Sequence, residues 1–211
     1  RYLRARRAEG GVSTMTWISV IGIALAVFAL IATMAVRAGF RAEFVNTLLG
    51  ANAHVTLYSS GEVDETGRLQ RGSADYAEIS GRVAEIPGVI RAAPLIRGQV
   101  MATANGVNAG VEIHGIAAED LQAVPSVVGG GDDIGELSRF GEGIAIGSGV
   151  ARDMNLAVGD RIRLISPDGV KTAFGTSPRV NAYEVIYVFT TGSPEIDRTR
   201  AYLPFAEAQS F

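Results

Sequence analysis

Cysteine is absent from this sequence of 211 residues, and histidine occurs only twice. Without cysteine, the chain cannot form disulfide bonds, thiolate zinc sites or a cysteine nucleophile. The two histidines, His54 and His114, lie 60 positions apart and are a poor starting set for a metal site. The sequence also lacks a Walker A motif, so nothing in it predicts nucleotide hydrolysis by this chain.

Positive charge is scarce after the first 37 residues. Residues 1–37 contain five arginines and one acidic residue, whereas residues 38–211 contain 14 Lys and Arg against 21 Asp and Glu. A nucleic-acid-binding domain needs a basic patch that neutralises phosphates. The acidic excess of residues 38–211 does not supply such a patch, so the sequence argues against nucleic-acid binding.

Charged side chains are also missing from the 27 positions between Glu9 and Arg37. The 20 residues Trp17–Val36 are almost all apolar, and a helix of that length spans about 30 Å, the thickness of a bilayer core. A cleaved signal peptide is the alternative, but its apolar region would be shorter and would end at a small-residue cleavage site. Here the helical pattern continues through Phe40 and Phe44. The sequence therefore predicts a transmembrane helix.

Four arginines near the N-terminus set the expected orientation of this helix. Because basic residues stay on the cytoplasmic side, the N-terminus is expected in the cytoplasm and the main domain outside it. Three segments follow: a basic cytoplasmic segment at 1–15, a first transmembrane helix at 16–49 that extends beyond the membrane, and an extracytoplasmic domain at 50–211. The arginines are Arg1, Arg4, Arg6 and Arg7.

Residues 50–211 mix strand-like and helix-like patterns, which predicts an α+β domain with a mostly antiparallel sheet. Asn105-Gly106 between two strand-like runs is typical of a hairpin turn. Glycine-rich residues 129–133 predict a mobile loop. Predicted strands are Asn52–Ser59, Val89–Ala104, Asn108–Ile116, Gly143–Ile146, Arg161–Ile165, Val180–Phe189 and Ala201–Leu203. Predicted helices are Ser73–Ile86, a short one within 117–141, Ser148–Asn155 and one that Pro204 opens.

Three groups of residues invite a catalytic or metal-binding interpretation. Gly147-Ser148-Gly149 lacks the spacing of a nucleophile elbow or a dinucleotide fingerprint, and is interpreted as a turn that opens a helix. His114 and Glu112 share a strand face, but no third ligand or triad partner is visible. Asp132-Asp133 lacks the spacing of a calcium loop. The sequence therefore predicts no catalytic residue, no metal site and no cofactor in this chain.

Several motifs resemble the lipoprotein-releasing ABC transporter permeases, the LolC/LolE family, along nearly the whole chain. The glycine-rich part of the pattern is shared with the wider MacB-like permeases. The matching segments are Arg1-Tyr2-Leu3-Arg4, Val36–Glu43, Ile86-Pro87-Gly88-Val89, Gly143–Gly147 and Leu156 followed by Gly159-Asp160.

The resemblance implies a permease of the bacterial inner membrane with a MacB-like periplasmic domain, of which this chain holds the first helix and that domain. It implies as partners a second permease subunit, a cytoplasmic LolD-like ATPase dimer that binds ATP and Mg, membrane lipid, a lipoprotein substrate with acyl chains and a periplasmic LolA-like chaperone. The sequence leaves open whether the chain is the LolC-like or the LolE-like half, and whether the permease pair is homomeric.

In the LolC branch, a hairpin called the Hook binds the chaperone, and residues 167–178 are the matching segment. An aromatic ring on a long polar loop suits a docking anchor. The alternative is an ordinary long hairpin whose Phe174 folds back on the domain. Candidate chaperone-binding residues are Pro167, Lys171, Phe174, Gly175 and Pro178, flanked by Arg163 and Arg179.

If the family mechanism carries over, acyl chains contact the outer half of the helix. Arg37 departs from the family pattern at this point, and either extends to lipid headgroups or contacts the polar linker of the lipoprotein. The alternative for the apolar candidates is packing against sister helices or bulk lipid. The candidates are Phe28, Ile31, Met34, Arg37, Phe40 and Phe44.

Three other functions stay possible at this point. A MacB-like efflux or mechanotransmission permease would share the fold but would couple to a periplasmic adaptor. A membrane-anchored hydrolase would need a nucleophile and a base, or a metal set, that the sequence does not display. A plain membrane-tethered scaffold would act without further transmembrane helices.

Overall fold

The computed structural model describes residues 10–50, 52–58, 62–63, 69–70, 72–129, 132–172 and 175–210. The chain divides into two compact units between Asn46 and Thr47. Each unit is described by itself.

One helix, α1, runs from Gly10 to Gly50 and forms the described part of the first unit as far as Asn46. Its segment Thr14–Arg41 has a mean hydropathy of 2.5 and is long and apolar enough to cross a membrane. The prediction that the helical pattern continues past Arg37 and through Phe44 is confirmed. Segment 1–9, with the four N-terminal arginines, lies outside the described residues.

The second unit contains nine strands, five α-helices and one 3-10 helix within its described residues. The strands are β1 Glu62–Val63, β2 Leu69–Gln70, β3 Ile96–Ala104, β4 Val107–Ile116, β5 Ile134–Gly135, β6 Ile144–Gly147, β7 Arg161–Thr172, β8 Gly175–Phe189 and β9 Arg200–Pro204. The α-helices are α2 Tyr76–Ala84, α3 Ala118–Leu121, α4 Ser148–Asp153, α5 Pro194–Thr199 and α6 Phe205–Ser210. The 3-10 helix is Leu137–Glu142.

Six strands form a closed ring in the order β8, β6, β9, β4, β3, β7, because β7 pairs again with β8. β5 adds to β8 beside the ring, and β1 pairs only with β2 among the described strands. Closure leaves no free edge where the ring is complete.

The ring is mixed, which corrects the prediction of a mostly antiparallel sheet. β4 pairs with β9 in parallel, and β6 pairs with β8 in parallel. The sequence pattern shows hairpins such as β3–β4 and β7–β8, which are antiparallel. Parallel pairs join strands that are distant in the chain, so no local pattern announces their direction.

The core of the ring is built by the alternate side chains of each strand. On β4, Val111 and Ile113 are buried in the inner cluster, whereas Glu112 and His114 lie on the other face. A second cluster covers part of that outer face. Its largest members are Phe140, Tyr187, Phe189 and Tyr202.

The hairpin turn at Asn105-Gly106 is confirmed. The two residues have φ of 50° and 78°, as the two central residues of a tight type I′ turn require. The turn joins β3 to β4 in register from Ala104 opposite Val107 to Ile96 opposite Gly115.

The predicted strand Asn52–Ser59 is wrong over its described part. Residues 52–58 form no strand, and all seven side chains are exposed. Alternation alone does not make a strand, because a strand also needs a partner edge for its backbone hydrogen bonds. Ser59 lies outside the described residues, as do Gly130 and Gly131 of the predicted loop.

Candidate partner-binding site

The hairpin of β7 and β8 extends beyond the ring. β3 pairs with β7 only at residues 163–165, and β6 pairs with β8 only from Val185 to Phe189. Among the described strands, residues 166–172 and 175–179 pair only with each other. Residues 166–179 therefore form a two-stranded arm, whose residues 173 and 174 lie outside the described residues.

Two prolines interrupt the ladder of the arm. The register shifts between Ser166 opposite Arg179 and Val170 opposite Ser177. Three residues of β7, beginning with Pro167, therefore face the single residue Pro178 of β8. Proline has no N–H to donate to a ladder, so it is tolerated at such a bulge and discourages pairing with another strand.

The candidate chaperone-binding residues fall within this arm or at its base. Pro167, Lys171 and Gly175 occupy backbone positions on its strands. Pro178 is exposed. Phe174 lies outside the described residues.

The two flanking arginines do not lie together. Directly opposed residues of an antiparallel pair share a face, so Arg179 lies on the face of its partner Ser166, which is buried. Arg163 stands an odd number of positions before Ser166 on β7, so it lies on the opposite face, and it is exposed. The two arginines that the sequence places at the flanks of the arm therefore lie on opposite faces of the hairpin.

Arg179 binds within the chain. Its Nη1 donates a hydrogen bond of 2.6 Å to the main-chain oxygen of Ser210, at the end of α6. On the same face of β8, Asn181 donates to the Tyr183 hydroxyl over 3.1 Å, and that hydroxyl donates to Glu207 of α6 over 3.4 Å. The face that carries Arg179 is therefore occupied by α6.

The outer face at the base of the arm carries an apolar row that sequence reasoning missed. Met101 of β3 stands opposite Ile165 of β7, which stands opposite Val180 of β8. Met101 is 50% and Val180 is 53% exposed. Arg163 occupies the adjacent row of this face. The sequence pattern predicts a strand around each of these three residues. It does not predict that the three strands are neighbours, and only that neighbourhood brings the residues together.

The acyl-chain candidates of α1 lie on a helix with exposed side chains. Phe28, Ile31, Met34, Arg37 and Phe40 are all exposed. Each step of three residues falls about 60° short of a full turn. The series therefore winds around the helix and does not line one face. The side chain of Phe44 lies outside those described.

A polar cluster occupies the outer face of β3, β4 and β9. Arg97 stands opposite His114, which stands opposite Tyr202, and Glu112 stands opposite Arg200. Arg97 forms a salt bridge with Glu112. His114 Nε2 lies 3.1 Å from Glu112 Oε1, and its ring packs edge-on against Tyr202 with centroids 5.5 Å apart.

Burial controls the charge states in this cluster. Burial and then the positive charge of Arg200 lower the pKa of His114 from 6.5 to about 4. Burial raises the pKa of Glu112, but hydrogen bonds from Arg97 and His114 outweigh it, so the net pKa is lowered. An ionised carboxylate only accepts, so the Nε2 of a neutral His114 must carry the proton. The cluster therefore holds a neutral histidine against a carboxylate, without a visible nucleophile.

The glycines of Gly147-Ser148-Gly149 have a packing role. Ser148 begins α4, so the interpretation as a turn that opens a helix is confirmed. A Cβ at Gly147 would overlap the main-chain oxygen of Asp197, and one at Gly149 would overlap Arg198. Within the described part of the chain, no group of three or more His, Asp or Glu could hold a metal ion.

Sequence comparison places the helix and the ring in a known family. The profile of the MacB-like periplasmic core domain matches residues 16–211. This chain belongs to that family. The match includes the arm, the ring and most of α1.

Relatives of this MacB-like chain are lipoprotein-releasing system transmembrane proteins. LolC of Neisseria meningitidis serogroup B is 30% identical over 99% of this chain and 49% of the relative. LolC of Xylella fastidiosa strain Temecula1 is 29% identical over 99% of this chain and 49% of the relative. LolE of Haemophilus influenzae is 23% identical over 100% of this chain and 50% of the relative. The chain thus spans about half the length of these relatives.

Proposed function

We propose that this chain is part of a permease subunit of an ABC transporter that extracts lipoproteins from the bacterial inner membrane. The observation that carries the proposal is the similarity to LolC over 99% of the chain, because it covers the helix and the MacB-like domain together. An apolar helix of bilayer length followed by such a domain fits an inner-membrane protein. The proposed orientation places the N-terminus in the cytoplasm and residues 50–211 in the periplasm.

In this proposal the chain acts by change of shape and carries no catalytic residue or cofactor. ATP and Mg are bound by a LolD-like ATPase dimer, and a second permease subunit completes the transmembrane part. The acyl chains of the lipoprotein contact α1 through the candidates Phe28, Ile31, Met34, Arg37, Phe40 and Phe44. Because these residues wind around the helix, different members face the substrate, the lipid and the sister helices.

The arm is proposed as the docking site of a periplasmic LolA-like chaperone. Among the described strands, its two strands pair only with each other, so no other strand occupies either edge of the arm. At its base, Arg163 lies beside the row of Met101, Ile165 and Val180. A small apolar patch with a cation at its rim suits docking of a protein partner.

Photocrosslinking of the full-length protein in its native membrane tests this site. Probes are placed at Phe174 and Pro178, and a control probe at Ile134. Ile134 is also exposed and pairs with Val188, ten residues along β8 from Pro178, which is about 33 Å of strand. Capture of a lipoprotein chaperone at the arm probes and not at Ile134 is the expected result. Capture at neither arm position contradicts the proposed site.

A MacB-like efflux or mechanotransmission permease is the second candidate. The family profile favours it equally, because the profile describes the MacB-like domain and not the Lol branch. That function predicts capture of a periplasmic adaptor instead of a lipoprotein chaperone. The same crosslinking experiment therefore separates the two candidates.

A further inference from the structure

The segment that follows α1 is attached to the ring at both of its ends. Residues 52–58, named the strap here, begin two positions after Gly50, where α1 ends. All seven of its side chains are exposed, including Val55 and Leu57 at 75% and 64%. Packing of apolar side chains therefore contributes little to holding the strap in place.

The first attachment joins Asn52 to β9. Arg200 of β9 is buried, with 7% of its surface exposed. Its Nη2 donates a hydrogen bond of 3.0 Å to Oδ1 of Asn52. The two residues are 148 positions apart in the chain, so this bond ties the beginning of the strap to a central strand of the ring.

The second attachment joins Tyr58 to β3. Arg97 Nη1 donates a hydrogen bond of 3.2 Å to the Tyr58 hydroxyl. The same guanidinium is fixed by its salt bridge with Glu112 on β4. A guanidinium that is already oriented by a carboxylate loses less side-chain entropy when it binds a further acceptor.

We propose that Arg97 and Arg200 are positioning residues of transport, which hold the strap so that displacement of the end of α1 reaches β3, β4 and β9. The inference rests on the proposed function, because transport supplies the displacement. The strap lies on the covalent connection between α1 and β3. The hydrogen bonds from Arg200 to Asn52 and from Arg97 to Tyr58 determine whether the strap moves with the ring or extends independently of it.

The test measures lipoprotein released per ATP hydrolysed by the complete transporter, with this subunit at full length, in proteoliposomes. The variant N52A/Y58F removes both acceptors from the strap and leaves the Arg97–Glu112 pair in place. Its ratio of release to hydrolysis is expected to fall roughly fivefold or more, since each lost hydrogen bond shifts the attachment of the strap by about that factor. The subunit is expected to stay folded, with a melting temperature that falls only slightly because two hydrogen bonds are lost.

Two further variants separate positioning from a general structural role. N52D keeps an acceptor for Arg200 and is expected to keep the wild-type ratio. N108A is the matched control, because Asn108 is an exposed asparagine of β4 that accepts a hydrogen bond of 2.7 Å from Thr103; it is also expected to keep the wild-type ratio.

A wild-type ratio in N52A/Y58F overturns the inference, as does an equal loss in N108A. The proposed function fails separately, if the wild-type transporter hydrolyses ATP without releasing any lipoprotein, and the inference then falls with it.

Discussion

Arg163 and Arg179 lie on opposite faces of the hairpin formed by β7 and β8. Arg179 shares the face of buried Ser166 and donates to the Ser210 main-chain oxygen, whereas Arg163 is exposed beside the apolar row at the base of the arm. Two cations that the sequence places on either side of one loop therefore have different roles. Arg179 binds α6, whereas Arg163 is exposed at the base of the proposed docking site.

Replacement of Arg179 by alanine is expected to loosen α6. The variant loses the hydrogen bond to Ser210, which contributes about 1 kcal/mol, so the amides of α6 should exchange hydrogen faster than in the wild-type protein. Hydrogen exchange measured by mass spectrometry checks this. The matched variant R163A should leave exchange in α6 unchanged; equal acceleration in both variants would contradict the assignment.

Gly147→Ala is expected to destabilise the domain by about 1–3 kcal/mol, the usual cost of overpacking. The added methyl would overlap the main-chain oxygen of Asp197, and a backbone atom cannot move aside as a flexible side chain can. Thermal unfolding measures the effect. Gly110→Ala is the control, because Gly110 is an exposed strand glycine with open space around its Cβ position. A similar loss in G110A would refute the steric explanation.

The stability of the domain is expected to fall between pH 6.5 and pH 4 because of His114. Its pKa is lowered to about 4 in the folded protein from 6.5. Between these values the unfolded chain binds the proton and the folded chain does not, so the free energy of unfolding decreases as the pH falls. The loss reaches about 3 kcal/mol at pH 4.

Denaturant unfolding at a series of pH values measures this dependence. Carboxylates also titrate in the same range, so the decisive quantity is the difference between the wild-type protein and H114F. The phenylalanine keeps a ring against Tyr202 and removes the titrating group. If the free energy of unfolding changed equally with pH in the two proteins, His114 would not contribute to the loss of stability.

Asn105→Ala is expected to cost about 1–3 kcal/mol. Asn105 has a φ of 50° in the turn, and its Nδ2 donates to the main-chain oxygens of Met154 and Asn155 over 3.1 Å and 2.8 Å. Alanine loses both bonds and is disfavoured at positive φ. Chemical unfolding measures the loss. Unchanged stability would mean that the turn and its bonds contribute nothing.

Local patterns predicted the parts of the fold that depend on neighbours in the chain. The uncharged run before Arg37 predicted α1, and Asn105-Gly106 predicted the turn from β3 to β4. The prediction of a strand at residues 52–58 is wrong, because an alternating pattern does not provide a neighbouring strand for backbone hydrogen bonds. The parallel pairs β4–β9 and β6–β8 join strands that are far apart in the chain, so local periodicity does not determine them.

The candidate site likewise has parts that the sequence pattern predicts and parts that depend on which strands are neighbours. The excursion at 167–178 is visible in the sequence as a proline-bounded segment, but the structure continues both strands into it and shows the bulge at Pro167 and Pro178. The apolar row at its base depends on β3 lying beside β7, which no local pattern determines. The attachment of Asn52 to Arg200 crosses 148 positions and is equally invisible in the sequence.

Replacement of the arm by a tight turn tests whether the arm is the docking site of the chaperone. Ser166 and Arg179 face each other in the ladder, so residues 167–178 can be replaced by Asn-Gly, which closes a two-residue hairpin. The full-length variant is assembled with its transporter in proteoliposomes, and transfer of lipoprotein to the chaperone is measured beside ATP hydrolysis. Hydrolysis is expected to continue while transfer to the chaperone is lost. Transfer at the wild-type rate would mean that the arm is not the docking site.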